Sequence, residues 1–262
     1  MGQARPALNP VVLLLAAITV LFIVLPLAGL VIRAPWPSMP DVIRSAGTLD
    51  ALKLSLIASV ATSLLALAFG FPLAWVLARM EFPGKIFLRG LTTLPMVLPP
   101  VVGGIALLLA YGRRGLIGQP LATLTGITLP FTTPGVIVAT SFVAMPFFVI
   151  TVESGLRSMN TRLEDAARSL GAGRWMVFRR ITLPLIAPSL TAGAVLTWSR
   201  ALGEFGATIT FAGNLPGVTQ TAPVAIYISQ SSARMDEAIA LSLVLVVVSL
   251  VVMISTRSRS SS

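Results

Sequence analysis

Apolar residues in this chain come in long runs, not in alternation. Six runs, at residues 11–32, 54–78, 88–110, 134–154, 186–210 and 238–256, read as membrane spans. About 20 apolar residues, rising ~1.5 Å each, cover a hydrocarbon core roughly 30 Å thick. Glu153 and Arg157 close the fourth run early. No loop between the runs is long enough to fold as a soluble domain. The expectation is an all-α integral membrane protein with one transmembrane domain at 11–256, a cytoplasmic N-terminus at 1–10 and a disordered cytoplasmic tail at 257–262. The first run exceeds the apolar core of a signal peptide, about 7–15 residues, and no A-x-A-like site ends it, so it reads as an uncleaved span.

Proline interrupts the runs at Pro26, Pro72, Pro95, Pro99, Pro100 and Pro146. Each removes a backbone donor, which a membrane tolerates only where neighbours or a cavity satisfy the freed carbonyl. Residues 94–104, LPMVLPPVVGG, cannot form a straight helix. Two readings stand: a kinked packing helix in which Gly103 and Gly104 permit close approach, or a hinge or wall of a translocation path.

Charge sets the orientation. With the N-terminus inside, the inner side holds Arg5, Arg79, Lys85, Arg89, Arg157, Arg162, Arg168, Arg174, Arg179, Arg180, Arg257 and Arg259, against Arg33, Arg44, Lys53, Arg113, Arg114 and Arg234 outside. Basic residues concentrate on the cytoplasmic side of membrane proteins, so both termini are expected there, in the plasma (inner) membrane. The same rule accounts for the net charge of +10, which on a soluble chain would suggest nucleic acid; no basic stripe interleaved with aromatics is present. Only 11% of residues are charged, against about 25% in soluble domains. Neither Cys nor His occurs, which excludes disulfides, His-based acid–base catalysis, serine–histidine triads and Cys or His metal sites. No catalytic residue, metal ligand or cofactor is expected.

One segment is unlike the rest. Thr161-Arg162-Leu163-Glu164 has the spacing of a capping box, in which Thr161 accepts from the Glu164 amide and the Glu164 side chain reaches back. Glu164 and Asp165 lie in the first turn, where the helix dipole favours acids. Leu163, Ala166, Ala167 and Leu170 make one apolar stripe, and Gly171 can end the helix in a left-handed conformation. A second short basic helix follows from Gly173-Arg174 to Leu183-Pro184, and Pro184 and Pro188 mark the start of the fifth span. An amphipathic helix on this side rests on headgroups or docks in a groove on a partner. Its small residues, Ala166, Ala167 and Gly171, favour the partner.

The segment resembles the cytoplasmic signature of binding-protein-dependent ABC importer permeases: Glu-Ala-Ala, three residues, Gly, nine residues, Ile-x-Leu-Pro. Asp165, Ala166, Ala167, Gly171, Ile181, Leu183 and Pro184 occupy those positions with unbroken spacing, with Asp165 where the family usually has Glu. Residues 94–104, 199–208 and 211–221 are similar to the molybdate subfamily, whose relatives carry sulfate and thiosulfate. The resemblance implies a type I ABC importer permease of the MetI-like fold. It also implies a coupling-helix region at 157–184 in which Glu164, Asp165, Ala166, Ala167, Gly171, Ala172, Ile181, Leu183 and Pro184 serve coupling to an ABC ATPase present in two copies. A homodimer and an extracytoplasmic molybdate-binding protein belong to the same expectation. No G-x-x-x-x-G-K-[ST] loop occurs, so the motor is expected on another chain and this subunit is expected not to be an enzyme.

Arg200 and Glu204 fall inside the fifth run, roughly 20 and 26 Å from its inner start and four residues apart on one face. Charges at such depth face protein or water. They form either a mutually neutralising packing pair or, with Gly203, Gly206 and Thr208, a pathway or gate for a tetrahedral dianion. Glu153 is expected to pair with Arg157, and Thr208, Thr210, Thr219 and Thr221 offer hydroxyls. The function expected is import of molybdate, or tungstate, by alternating access. Sulfate or thiosulfate import by the same architecture is the alternative, and an ATP-independent channel or secondary transporter the second.

Overall fold

The computed structural model describes residues 9–260, and side chains to Ile254. The expected segment 1–10 therefore falls largely outside the described residues, as do Ser261 and Ser262 of the tail. The helices are α1 (Pro10–Ile32), α2 (Met39–Arg44), α3 (Ala46–Leu65), α4 (Phe71–Arg79), α5 (Lys85–Val97), α6 (Pro100–Tyr111), α7 (Gly118–Thr125), α8 (Thr133–Ser158), α9 (Arg162–Ser169), α10 (Arg174–Val177), α11 (Leu183–Leu202), α12 (Gly206–Phe211), α13 (Ala222–Ser231) and α14 (Met235–Ser260). Among the described residues, five continuous helical stretches are long and apolar enough to cross a membrane: Pro10–Ile32, Ala46–Arg79, Thr133–Ser158, Arg174–Leu202 and Met235–Ile254.

Proline explains how these spans depart from straight rods. A π-helical turn at Ala66–Gly70 joins α3 to α4 directly before Pro72, and a second, Phe178–Thr182, joins α10 to α11 directly before Pro184. A proline lacks the N–H that would bond four residues back, and its ring crowds that carbonyl; a wide turn relieves both. The expected third span is not a single helix. After Val97 the chain turns through 118° at Leu98-Pro99, and α5 and α6 are two half-length helices. At ~1.5 Å per residue neither crosses a bilayer by itself.

Other boundaries move as well. α8 runs through Glu153 and Arg157 to Ser158, because both side chains find partners and do not stop the helix. The fifth span begins at Arg174, earlier than expected, and ends at Leu202, so the expected 186–210 is divided by Gly203–Phe205 from the separate α12. α14 continues through 257–260, four of the six residues read as a disordered tail.

α8 is the axis around which α3, α4, α11, α12 and α5 pack. Toward its C-terminal end, Leu77, Phe148, Val152, Leu156 and Ile186 form one buried cluster; toward its N-terminal end, Leu107, Ala139, Val143, Ala207 and Phe211 form another. Glycines set the closest approaches. A Cβ on Gly104 would lie 2.6 Å from Thr210 Cβ, and one on Gly206 would lie 2.7 Å from Pro100 Cβ, so α6 and α12 interlock through reciprocal glycines. This favours the packing reading of the Gly103-Gly104 pair. The bend beside it opens a cleft of about 330 Å³ lined mainly by apolar residues such as Leu91, Pro95, Leu107, Phe142 and Met145. Such a lining gives a dianion no counter-charge.

At Gly155, where α8 meets α11, a Cβ would fall 2.2 Å from Ser189 Oγ and 2.5 Å from its Cβ. A Gly155→Leu chain is expected to lose about 1–3 kcal/mol by overpacking, read as a lower unfolding midpoint in detergent. An unchanged midpoint would show that this helix pair can part without cost.

Candidate functional site

α9 and its surroundings carry the first candidate site. Gly171 ends α9 with φ +85°, and the Ala172 N–H returns to the Ala167 carbonyl at 3.0 Å, the left-handed stop expected for this glycine. The apolar stripe faces away from the chain: Leu163 is 49% exposed and Leu170 89%, and Ala166 is also exposed. Trp175 and Met176 of α10 continue this uncovered surface. Asp165 points outward, with its carboxylate 3.4 Å from Arg168 Nη1.

The expected capping box does not form. Thr161 makes no side-chain cap, and Asn160 Oδ1 instead accepts from the Arg162 N–H at 3.1 Å. Glu164 turns inward and is buried. Its Oε1 accepts from Arg79 Nη2 at 3.1 Å and from Thr182 Oγ1 at 2.5 Å, while Arg168 lies 3.9 Å from Oε2. Charge-assisted bonds from a guanidinium outweigh a local neutral cap. Ile181, Leu183 and Pro184 lie in the π turn and the start of α11; of the signature residues Asp165, Ala166, Gly171 and Pro184 are exposed, while Ala167, Ile181 and Leu183, with neighbouring Ala172, are half-buried. Arg79 and Thr182 were not singled out by sequence; the inside-basic pattern marks Arg79 only as one charge among many.

A second ion cluster lies on the same side. Glu153 is buried and accepts from Arg89 Nε at 3.0 Å as well as from Arg89 Nη2, whereas Arg157, the partner expected, is 3.5 Å away and half-exposed. In the connecting loop, Lys85 donates to Glu81 at 2.7 Å; this hydrogen bond and the lysine's charge, with Arg157 and Arg89 farther off, hold the Glu81 carboxyl below its usual range.

At the other end of α11, about 26 Å from Leu183 by helix rise, Arg200 Nη1 meets Glu204 Oε2 at 2.6 Å. The pair is real, but Glu204 is not on the helix face assumed for it. It sits in the break after Leu202, is 2% exposed, and its Oε1 accepts from the Ala207 N–H at 2.8 Å, capping α12. Gly206 and Thr208 are buried in helix packing; Gly203 is exposed and Arg200 partly so. Thr210 bonds its own helix, Thr219 accepts from the Leu215 N–H, and Thr208 and Thr221 have buried hydroxyls without a partner. Among the described residues, no group of three or more acidic side chains is placed to hold a metal ion.

Residues 70–258 match the model of the "Binding-protein-dependent transport system inner membrane component" family. The chain is 44% identical over 241 residues to the molybdenum transport system permease protein ModB of Mycobacterium tuberculosis, covering 92% of this chain and 90% of that one. It is 35% identical to the sulfate transport system permease protein CysT of Salmonella typhimurium, covering 92% and 88%. The crystal structure of a bacterial ABC transporter involved in alginate import contains a chain that superposes with a TM-score of 0.74 at 24% identity, covering 95% of this chain and 94% of that one, a likeness of fold.

Proposed function

This chain belongs to the family of binding-protein-dependent transport system inner membrane components, and we propose that it is the permease through which an ATP-driven importer carries molybdate. It is a multi-pass subunit of the inner membrane that does no chemistry itself. It works with an ATPase subunit and an extracytoplasmic binding protein. The observation that carries the substrate is the graded likeness: 44% identity to a molybdenum permease over 92% of this chain, against 35% to one sulfate permease over the same share and 40% to another over 78%.

The α9 end faces the cytoplasm, where Arg79, Lys85, Arg89, Arg157, Arg162, Arg168 and Arg174 satisfy the positive-inside rule, and both termini lie on that side. The exposed face of α9, with Leu163, Ala166 and Leu170, is the surface an ATPase would grip. Five spans and a bent pair leave too little wall for a path, and α1 has no buried residue against its own chain. Two copies about a two-fold axis, each holding one ATPase, supply the rest. ATP binding on the motor then moves both α9 helices and shifts the population between inward- and outward-open states. Arg200, partly exposed at the far end, is the charge an incoming oxyanion would meet, with Gly203 beside it.

The test is uptake of labelled molybdate into proteoliposomes holding this chain, its ATPase and its binding protein, with excess sulfate. ATP-dependent uptake that resists sulfate is the expected result. Uptake abolished by sulfate would move the substrate to sulfate or thiosulfate, and uptake without ATP would remove the motor.

A further inference from the structure

We infer that Glu164 is the pin that fastens α9 to two membrane spans at once, and that its part in transport is transmission of force within this chain instead of contact with the ATPase. The inference rests on reading the chain as an importer permease.

The two adjacent acids of α9 project about 100° apart and differ in burial. The Asp165 side chain is 66% exposed, whereas that of Glu164 is 5% exposed, turned toward α4 and the π turn. From there it cannot reach a partner seated on the stripe. What it does reach is Arg79, the last residue of α4, and Thr182, the last of the π turn that feeds α11. One carboxylate oxygen thus joins three segments, 85 residues apart in one direction and 18 in the other.

Both partners are committed to it. Several other threonine hydroxyls in these helices return to the carbonyl four residues back, as in Thr92, Thr151, Thr191 and Thr210. Thr182 gives its hydroxyl to Glu164. Arg79 is held by stacking over Trp75, 5.6 Å from the ring centroid, and Trp75 packs edge-on against Phe178 at 5.6 Å. The arm that carries the pin is therefore braced between α4 and the π turn.

Without these bonds α9 would be tied to α8 and α10 chiefly by the short connections on either side of it, residues 159–161 and 170–173. Glycines at 171 and 173 make the second connection pliable. A load on α9 would then be absorbed by the connections. With the pin in place α9, α4 and the start of α11 move as one body, and α11 carries the displacement to Arg200 and Gly203.

The experiment uses the complete transporter in proteoliposomes and reads two quantities: retention of the ATPase by the permease, and molybdate delivered per ATP hydrolysed. Glu164→Ala is expected to retain the ATPase as the native chain does, while delivery per ATP falls about tenfold, within the 5–150-fold range of typical coupling energies. Glu164→Gln, which keeps an acceptor but not the charge, falls between Ala and native. Thr182→Val, which keeps shape and removes the hydroxyl, falls in the same direction by less. Leu170→Glu, on the exposed face, is the contrast: it loses the ATPase. If Glu164→Ala sheds the ATPase as Leu170→Glu does, or keeps native delivery per ATP, the pin is overturned. If Glu164→Ala does not fold, native delivery in Thr182→Val overturns it instead. A failure of the importer reading is seen separately, in native vesicles that take up no oxyanion with ATP.

Discussion

A Gly171→Val permease is expected to reach the membrane and keep its ATPase while losing most molybdate uptake. The backbone at Gly171 has φ +85°, and an added Cβ would meet nothing within 4 Å. The cost is therefore conformational and not a clash. A left-handed residue other than glycine costs about 1–2 kcal/mol, and β-branching adds to it. The chain avoids that cost by opening the turn, which breaks the bonds from the Gly171 N–H to the Arg168 carbonyl and from the Ala172 N–H to the Ala167 carbonyl, both 3.0 Å. Those bonds set the angle between α9 and α10, and α10 continues through the π turn into α11. Misdirecting α9 by one turn leaves its docking stripe intact and spoils the path from motor to membrane. Uptake should fall by roughly tenfold or more, as an uncoupling of 1–3 kcal/mol implies. Gly171→Asn, which tolerates the left-handed region, should stay near native. Paired measurement of ATP hydrolysis and uptake checks this, and a valine variant with native uptake would show that the turn does not set the coupling.

Much of this was legible in the sequence because membrane spans and helix stops are local. Runs of apolar residues place the spans, and Gly171 after Leu170 places the left-handed stop. What was not legible depended on distance along the chain. The Thr161–Glu164 spacing satisfies a local rule, yet the carboxylate prefers Arg79, 85 residues earlier. Glu153 likewise takes Arg89 before its i+4 neighbour Arg157. Proline alone did not fix the breaks either. Pro26, Pro95, Pro146 and Pro188 lie inside continuous helices, while Pro99-Pro100 turns the chain through 118° and Pro72 and Pro184 follow π turns. The difference is whether neighbouring backbone can take up the freed carbonyl, which only packing decides. The end of the fifth span was missed because hydropathy runs on past Leu202, whereas the break is made by one polar side chain, Glu204, that caps the next helix.

Glu204→Ala should cause the largest loss of stability of any single substitution at the far end of α11. It removes the partner of Arg200 at 2.6 Å and the acceptor of the Ala207 N–H at 2.8 Å. Deleting one member of a fully buried ion pair costs about 3–5 kcal/mol; the Arg200 side chain left behind is 29% exposed, so the loss expected here is at the low end of that range, about 3 kcal/mol. A membrane setting does not relieve that cost, since a lone guanidinium at depth must find water or protein. Glu204→Gln keeps an acceptor for Ala207 and should lose less. The informative variant is double, Arg200→Met with Glu204→Gln, which removes both charges and keeps the cap. Its unfolding midpoint should return toward native, since exchanging a buried pair for uncharged groups is often neutral. Uptake should not return. Both Glu204 oxygens are spent inside the protein, but the Arg200 side chain is 29% exposed and has donors to spare, so it is the member of the pair an oxyanion can meet. A double variant that is stable and transports at the native rate would make the pair purely a packing device; stable and slow assigns the slowing to Arg200, with the cap and the fold held constant.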